Sequence, residues 1–165
     1  MKIMNRVSKV LLVLVLAVFL TGCRKVKQSI SSDNLTISFK SNEKYDIKYD
    51  DQFFRTVREE AIIVAPDFKI AFEHPTEIKN EKEFEKLKKE YKKEEDFKEV
   101  KYGRYEGFLF YTPSYIRYEI YLNVDNKHVV RINIYSPNDQ KEFQVKALND
   151  KNAKQILNHM KIKVK

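Results

Sequence analysis

The sequence predicts an α+β fold in which an antiparallel sheet is covered by helices, arranged as a small layered sandwich. Apolar residues alternate with polar ones over several short runs, which is typical of half-buried strands. Short turns separate these runs and favour antiparallel pairing, because parallel strands need long crossovers. Two other segments repeat their apolar residues at helical spacing, and helices that cover a sheet give an α+β fold. The length of 165 residues suits one such domain.

The first half of the predicted domain contains three strands. Residues 35–40 and 45–49 each alternate apolar and polar side chains, so the two runs predict a hairpin with a longer loop. Residues 68–74 predict a further strand, which Pro75 ends. Residues 53–65 are ambiguous, since their apolar residues fit a helical turn followed by a strand.

A helix is predicted to follow. Asn80 can cap it, and Glu83, three residues later, supplies the second half of a capping box. Phe84, Leu87 and Tyr91 recur at helical spacing and form a narrow apolar stripe. The rest of the helix is almost all Lys and Glu, which favours a solvated face over a docking surface.

Sheet dominates the second half of the chain. Strands are predicted over residues 98–102, 105–111, 115–123 and 129–135, with a further short strand over 143–147. The chain closes with a helix that Asp150 can cap. Its apolar stripe consists of Ala153, Ile156, Leu157 and Met160.

The first residues of the chain have a different composition. Lys2, Arg6 and Lys9 give this segment three positive charges, and no acidic residue accompanies them. An unbroken apolar run of 11 residues follows over 10–20. That length suits the apolar core of a signal peptide and is short of the roughly 20 residues of a spanning helix. The run ends in Leu20-Thr21-Gly22-Cys23.

This segment resembles the bacterial lipoprotein signal peptide, whose lipobox is a Leu, two small residues and a Cys. The resemblance implies that the Cys23 sulfur receives a diacylglyceryl group, that a lipoprotein signal peptidase cleaves after Gly22, and that the new amino group can be acylated as well. The mature protein is then expected on the outer, extracytoplasmic face of the cell membrane, held there by its acyl chains. A buried helix with a buried thiol, or an uncleaved membrane anchor, is the less favoured alternative.

The predicted organisation is therefore a cleaved signal peptide over residues 1–22, a lipidated Cys23 with a polar tether over 23–34, and a single domain over 35–165. Removing residues 1–22 lowers the formal net charge from +8 to +5, and the tether carries +2 of what remains. A domain charge near +3 argues against nucleic acid as a partner. The basic residues beside the lipid either contact anionic headgroups or form a soluble linker.

The domain also resembles the PsbP-like family of small α/β/α sandwich proteins. Two stretches carry this resemblance: residues 100–103 (VKYG) leading into 105–108 (YEGF), and residues 153–158 (AKQILN). The resemblance implies a sandwich fold and an accessory or binding role. It transfers no ligand-binding residue to this chain.

Residues suited to catalysis or metal binding are sparse. His74, His128 and His159 lack the spacing of a local metal pair, so surface histidines are expected, and their convergence in space is the minor alternative. The chain has no Gly-x-Ser-x-Gly motif, and its single Cys is assigned to the lipid. We therefore expect no metal and no cofactor besides the covalent lipid.

Tyrosines cluster in the second half of the sheet. Tyr111, Tyr115 and Tyr121, with Arg104 and Arg117, can line an exposed face that stacks on a sugar ring or holds a peptide. The alternative is that tyrosine is simply a good strand residue whose hydroxyl reaches solvent. The ligand face of Tyr111, Tyr115, Arg117 and Tyr121 is a hypothesis on these terms.

The sequence as a whole favours a non-enzymatic binding or accessory module for an envelope protein or a cell-wall partner. One alternative is an envelope hydrolase whose site is assembled from distant residues. Another is an immunity or shielding protein that blocks an incoming toxin. A deep cleft that gathers histidines or carboxylates would favour the hydrolase.

Overall fold

The computed structural model describes residues 25–48 and 59–165. The predicted signal peptide, Cys23 and the first part of the ambiguous segment 53–65 lie outside the described residues.

Two antiparallel sheets and three helices make up the described part of the chain. The elements, in chain order, are β1 (Val26–Ser31), β2 (Leu35–Ser41), β3 (Asp46–Lys48), β4 (Glu59–Val64), β5 (Lys69–Glu73), β6 (Thr76–Glu77), α1 (Glu81–Tyr91), β7 (Lys98–Tyr102), β8 (Tyr105–Thr112), β9 (Arg117–Asn123), β10 (His128–Tyr135), α2 (Lys141–Asn149), α3 (Lys151–His159) and β11 (Lys161–Val164). The large sheet has the order β3-β4-β5-β10-β9-β8-β7, with β6 on β10, and the small sheet has the order β1-β2-β11. A sheet-rich, antiparallel α+β fold was predicted, and this prediction is confirmed.

The small sheet corrects the predicted tether. β1 pairs with β2 along its whole length, with Ile30 opposite Ile37, so the described domain extends ahead of residue 35. The inward positions of β1 include Gln28, whose side-chain amide bonds both the N–H and the C=O of Tyr45 at 2.8 Å. A polar residue at an inward position hid the apolar alternation that identifies a strand.

The predicted hairpin of residues 35–40 and 45–49 is wrong. β2 is the central strand of the small sheet, with β1 along one edge and β11 along the other. β3 belongs to the large sheet and pairs with β4, with Ile47 opposite Ile63. Two neighbouring strands of the sequence therefore lie in different sheets, because both edges of β2 are already taken.

The predicted strand over 143–147 is also wrong, because these residues lie within α2. Gln144 is fully buried on this helix. Its Oε1 accepts from the Ser136 N–H at 2.8 Å, and its Nε2 donates to the Asn138 carbonyl at 2.5 Å. The buried Gln144 side chain thus supplies hydrogen-bond partners to two backbone groups of the loop that follows β10. The apolar Val145, by contrast, is 38% exposed.

The other two helices begin as predicted. The Asn80 side chain accepts from the Glu83 N–H at 3.3 Å at the start of α1, and the Glu83 carboxylate reaches back to the Lys79 N–H at 2.6 Å. The Asp150 carboxylate caps α3 by accepting from the N–H groups of Asn152 and Ala153 at 2.8 and 3.0 Å. These bonds satisfy backbone donors that a helix start otherwise leaves open.

The two faces of the large sheet pack into different hydrophobic clusters. Leu109 and Ile120 face a cluster that includes residues of α2, α3 and the small sheet. Phe108 and Tyr121 face the opposite way and pack with Phe84 of α1. Neighbouring residues of a strand point to opposite faces, so α1 lies across the large sheet from the small sheet. No helix within the described residues is long and apolar enough to cross a membrane.

Candidate functional site

The outward face of the small sheet is basic. Strand alternation places its apolar residues toward the core and eight polar residues toward solvent. We call these eight the basic sheet face: Lys27, Ser29 and Ser31 on β1, Thr36, Ser38 and Lys40 on β2, and Lys161 and Lys163 on β11. They comprise four lysines and four hydroxyl residues, and none of the eight is acidic.

The strand register brings these side chains into rows. Lys27 lies directly opposite Lys40. In the next row, Ser38 lies between Ser29 on one side and Lys161 on the other. Directly opposite residues of an antiparallel pair have Cβ atoms about 5 Å apart, and like charges at that separation destabilise the sheet. The Lys27–Lys40 pair is therefore not explained by the stability of the fold.

A shallow basin of about 450 Å³ opens on this face. Its lining residues are Lys27, Gln28, Ser29, Ser38, Phe39, Lys40, His159 and Lys161. His159 ends α3 and faces the basin, with its Nδ1 2.9 Å from the Gln155 carbonyl oxygen. Ammonium and hydroxyl groups are hydrogen-bond donors, so the basin has the chemistry of a site for an anion.

The lysines of the basic sheet face differ from Lys88, Lys101 and Lys141 in their partners. Lys88 contacts Glu85 and Glu99, and Lys101 contacts Glu106. Within the part of the chain that the structure describes, no ion pair links a lysine of the basic sheet face to a carboxylate. Their positive charge is therefore available to an external partner.

The structure brings together three of the four residues of the hypothetical tyrosine ligand face. Tyr115, Arg117 and Tyr121 share one side of the large sheet, and the Arg117 guanidinium lies 4.8 Å from the centre of the Tyr115 ring. Tyr111 points to the other side, where its ring packs against Tyr118. Of the four, Tyr115 is 44% exposed, while the others are buried. Their role in ligand binding stays a prediction.

Arg117 belongs instead to a buried network of charges on the α1 side of the large sheet. Glu73 is at its centre, on β5. One of its oxygens accepts from Asn133 Nδ2 at 2.5 Å and lies 3.7 Å from Arg117 Nη2. Its other oxygen binds the guanidinium of Arg131. Both arginines therefore contact this one carboxylate.

Glu119, on β9, is the second acid of the network. Its Oε1 accepts from Arg117 Nη2 at 3.0 Å and from Arg117 Nε at 3.2 Å. Its Oε2 accepts from the Tyr121 hydroxyl at 3.2 Å and lies 3.6 Å from Arg131 Nη1. Two carboxylates and two guanidiniums give the network no net charge, and both acids are buried.

Burial shifts the titration of this network. Burial raises the pKa of the Glu73 carboxyl, and the hydrogen bond from Asn133 and the charges of Arg131 and Arg117 oppose that rise only in part. Burial also raises the pKa of the Tyr121 hydroxyl, with the negative charge of Glu119 adding to the effect. Tyr121 is therefore a hydrogen-bond donor to Glu119 at neutral pH.

The three histidines lie on different elements of the fold. His74 follows β5, His128 is bonded to Asp125 at 2.9 Å in the turn before β10, and His159 ends α3. In residues 25–48 and 59–165, no group of three or more His, Cys, Asp or Glu side chains is arranged to hold a metal ion.

Comparison with known proteins gives no identification. No protein-family model, curated protein or solved structure matches this chain. The function of the basic sheet face therefore has to be inferred from its own chemistry.

The sequence contained a signal for the basic sheet face that strand prediction missed. Polar residues alternate as Lys27-x-Ser29-x-Ser31 and again as Lys161-x-Lys163. Such alternation marks the outward side of a strand, but it becomes informative only when β1 and β11 are recognised as strands. Neither strand was predicted, so the lysines were not seen to converge.

Proposed function

We propose that this chain is a lipid-anchored, non-enzymatic binding or accessory module on the extracytoplasmic face of a bacterial cell membrane. The observation that carries the proposal is the open basic basin, which lies on a sheet whose first strand begins three residues after Cys23. The lipobox pattern of residues 20–23 supports the anchor. A surface rich in unneutralised donors supports binding as the activity of the domain.

The burial of the two carboxylates in the charge network, and their contacts with arginines, support a non-enzymatic role. Glu73 and Glu119 are both 4% exposed, and their oxygens are engaged by Arg117, Arg131 and neighbouring donors. A hydrolytic acid or base must reach a substrate proton within hydrogen-bond distance. Carboxylates held by arginines beneath the surface are poorly placed for that.

The second candidate function is the envelope hydrolase, and one observation favours it. Glu73 and Glu119 come from distant parts of the sequence and converge on Arg117. Paired carboxylates facing one cleft are the arrangement that glycoside hydrolysis requires. The pair is buried, so a substrate would need the sheet face to open first.

The finer fold class belongs to the same proposal: a layered sandwich of the PsbP-like type. The opposite placement of α1 and the small sheet across the large sheet supports layers. The two stretches that carry the resemblance also meet, since a Cβ at Gly103 would lie 2.8 Å from the Asn158 carbonyl oxygen. Gly103 also has a φ of +59°. The turn between β7 and β8 therefore favours glycine both for this backbone conformation and for the close approach of Asn158.

Replacement of Cys23 tests the anchor. Cys23→Ser has no sulfur to receive the diacylglyceryl group, so we expect the protein to keep its signal segment and to lose acyl mass. Intact-protein mass spectrometry of the membrane fraction measures both changes. Thr21→Ser, which keeps a small residue in the lipobox, is the matched control and retains the acyl group. Wild-type protein without acyl mass on Cys23 would contradict the proposed anchor.

A further inference from the structure

We propose that the basic sheet face binds the anionic phospholipid headgroups of the membrane that holds the protein, and so fixes the orientation of the domain. This inference rests on the proposed anchor at Cys23, which brings the face to the membrane. It goes beyond anchoring, because acyl chains hold a protein at a surface without choosing which side of its domain faces that surface.

The length of the chain between the anchor and the sheet supports this partner. Lys27 follows Cys23 by four residues, which span at most about 14 Å when fully extended. Lys40 lies directly opposite Lys27 on the neighbouring strand. The row nearest to the start of β1 is therefore held close to the headgroups, and the rest of the face continues from it along the same sheet.

The chemistry of the face fits a phosphodiester surface. Each headgroup phosphate accepts hydrogen bonds and carries negative charge, while the basin offers the ammonium groups of Lys27, Lys40 and Lys161 with the hydroxyl of Ser38. A shallow basin without acidic lining residues suits several headgroups that lie side by side. Phosphates between Lys27 and Lys40 would also relieve the repulsion of this like-charged pair.

Protection of strand edges explains only part of the pattern. Lysines on edge strands commonly prevent a sheet from pairing with another chain. Lys27, Lys161 and Lys163 lie on the edge strands β1 and β11 and fit that role. Lys40 lies on β2 beyond the end of β11, which pairs with β2 only as far as Ser38, so this edge of β2 is open at Lys40. Edge protection can account for each lysine singly, but it gives no reason to place Lys27 directly opposite Lys40.

Headgroup binding would present the opposite side of the molecule to the envelope. α1 lies across the large sheet from the small sheet. With the basic sheet face on the membrane, α1 and the α1 side of the large sheet point away from it. A partner protein would then meet the α1 side of the large sheet.

Lysine footprinting on the acylated mature protein tests the orientation. The protein is reconstituted in vesicles of phosphatidylcholine alone, or of phosphatidylcholine with about one third phosphatidylglycerol, and lysines are acetylated and read by mass spectrometry. We expect Lys27, Lys40 and Lys161 to react about fivefold more slowly in the anionic vesicles, and the difference to vanish in about 1 M NaCl, where the Debye length is about 3 Å. Lys82, Lys86 and Lys89 on α1 are internal controls and should react equally in both.

A matched pair of variants separates the face from the net charge. Lys27→Gln/Lys40→Gln should remove most of the protection of Lys161 in anionic vesicles. Lys82→Gln/Lys86→Gln removes the same charge from α1 and should leave that protection intact. Equal reactivity of Lys161 in the two vesicle types, or equal effects of the two double variants, would overturn the inference.

Two further results distinguish a failure of headgroup binding from a failure of the proposed anchor. The acyl mass on Cys23 is measured in the same samples, so an acylated protein with unprotected lysines overturns headgroup binding and leaves the anchor standing. Protection of Lys27 and Lys40 in protein without acyl mass contradicts the anchor and supports the face. Protection by soluble glycerophosphate polymer in detergent, with none in anionic vesicles, overturns the membrane as the partner.

Discussion

Glu119 lies between two arginines in a place that water hardly reaches, so its charge is tied to theirs. Glu119→Gln keeps the shape of the side chain and removes the negative charge that Arg117 and Arg131 contact. Removing one partner of a buried ion pair leaves an uncompensated charge, and we expect the free energy of unfolding to fall by about 3 kcal/mol. The midpoint and slope of urea denaturation measure this loss.

The exposed pair of Lys101 and Glu106 supplies the control for that variant. Their side chains are in contact at 2.9 Å but lie mostly in solvent. Glu106→Gln should leave the urea midpoint unchanged within error, because exposed ion pairs contribute little. Unchanged stability in Glu119→Gln would mean that the network does not hold its charges as an ion pair, and it would strengthen the hydrolase as an alternative.

Asp96 gives the protein a pH-dependent contribution to stability. The hydrogen bonds from Lys141 and Tyr118 hold the pKa of Asp96 below its ordinary value of 3.8. A lowered pKa in the folded state stabilises the fold above the unfolded pKa, and this contribution is lost as the pH falls through the folded pKa. Asp96 has a φ of +58°, which asparagine also tolerates, so Asp96→Asn changes the charge and keeps the backbone.

We therefore expect Asp96→Asn to be less stable than the wild type at pH 6 and equally stable once the pH lies below the folded pKa. Urea denaturation at a series of pH values between 6 and about 2 measures the convergence. A difference between the two proteins that stays constant over this range would show that the carboxylate charge is not what Lys141 and Tyr118 stabilise.

At the scale of elements, the Tyr105 side chain of the large sheet bonds the backbone of β11 in the small sheet. The Tyr105 hydroxyl accepts from the Ile162 N–H at 2.7 Å and donates to the Ile162 carbonyl at 3.2 Å. Tyr105→Phe leaves two buried backbone groups without this partner, so we expect a loss of about 1–3 kcal/mol. Hydrogen exchange at the Ile162 amide and urea denaturation measure the effect.

Tyr102→Phe is the matched control for that substitution, because Tyr102 lies on the neighbouring strand β7 and its hydroxyl makes no such bond to β11. Its urea midpoint should change by less than that of Tyr105→Phe. Equal exchange rates at Ile162 in the wild type and in Tyr105→Phe would mean that β11 is held by its pairing with β2 alone.

How well the sequence predicts an element depends on which residues face inward. The strands β8, β9 and β10 were predicted close to their observed bounds, since residues such as Ile120 and Ile132 alternate cleanly toward the core. α2 was mistaken for a strand because Phe143, Val145 and Ala147 alternate, while the inward residue that defines the helix is the polar Gln144. Gln144 faces inward because it hydrogen-bonds the loop that follows β10. A local sequence pattern does not reveal such contacts between distant elements.

The same limit explains why the candidate site was missed. Pairing of β1 with β2, and of β11 with β2, joins residues from the two ends of the domain. Lys27 lies opposite Lys40, and Lys161 lies opposite Ser38, only through this pairing, which sequence spacing does not specify. The tyrosine face was predicted from residues close in sequence, and strand alternation places Tyr111 on the opposite side of the sheet from Arg117 and Tyr121.

At the scale of the whole molecule, the two sides of the large sheet carry different surfaces. The small sheet presents lysines without acidic neighbours on its face, while α1 mixes lysine and glutamate. Interspersed charges of both signs are typical of a solvated surface, whereas a single-sign field favours a partner of the opposite sign. This asymmetry supports the proposal that the small sheet faces the membrane and that α1 faces away from it.

A surface kept for binding is expected to lower the stability of the fold that carries it, and Lys27 allows a direct test. Lys27→Glu turns the like-charged pair with Lys40 into an opposite-charged one, so we expect the free energy of unfolding to rise by about 0.2–1 kcal/mol. Footprinting should at the same time show faster labelling of Lys40 and Lys161 in anionic vesicles.

Lys86→Glu on the exposed face of α1 makes the same change of charge away from the basic sheet face, and it should leave the labelling of Lys40 and Lys161 unchanged. A gain in stability together with a loss of protection in Lys27→Glu alone would mean that Lys27 serves the membrane contact at the expense of the sheet. Lower stability in Lys27→Glu than in the wild type would contradict this, because it would give Lys27 a structural role that its position opposite Lys40 does not provide.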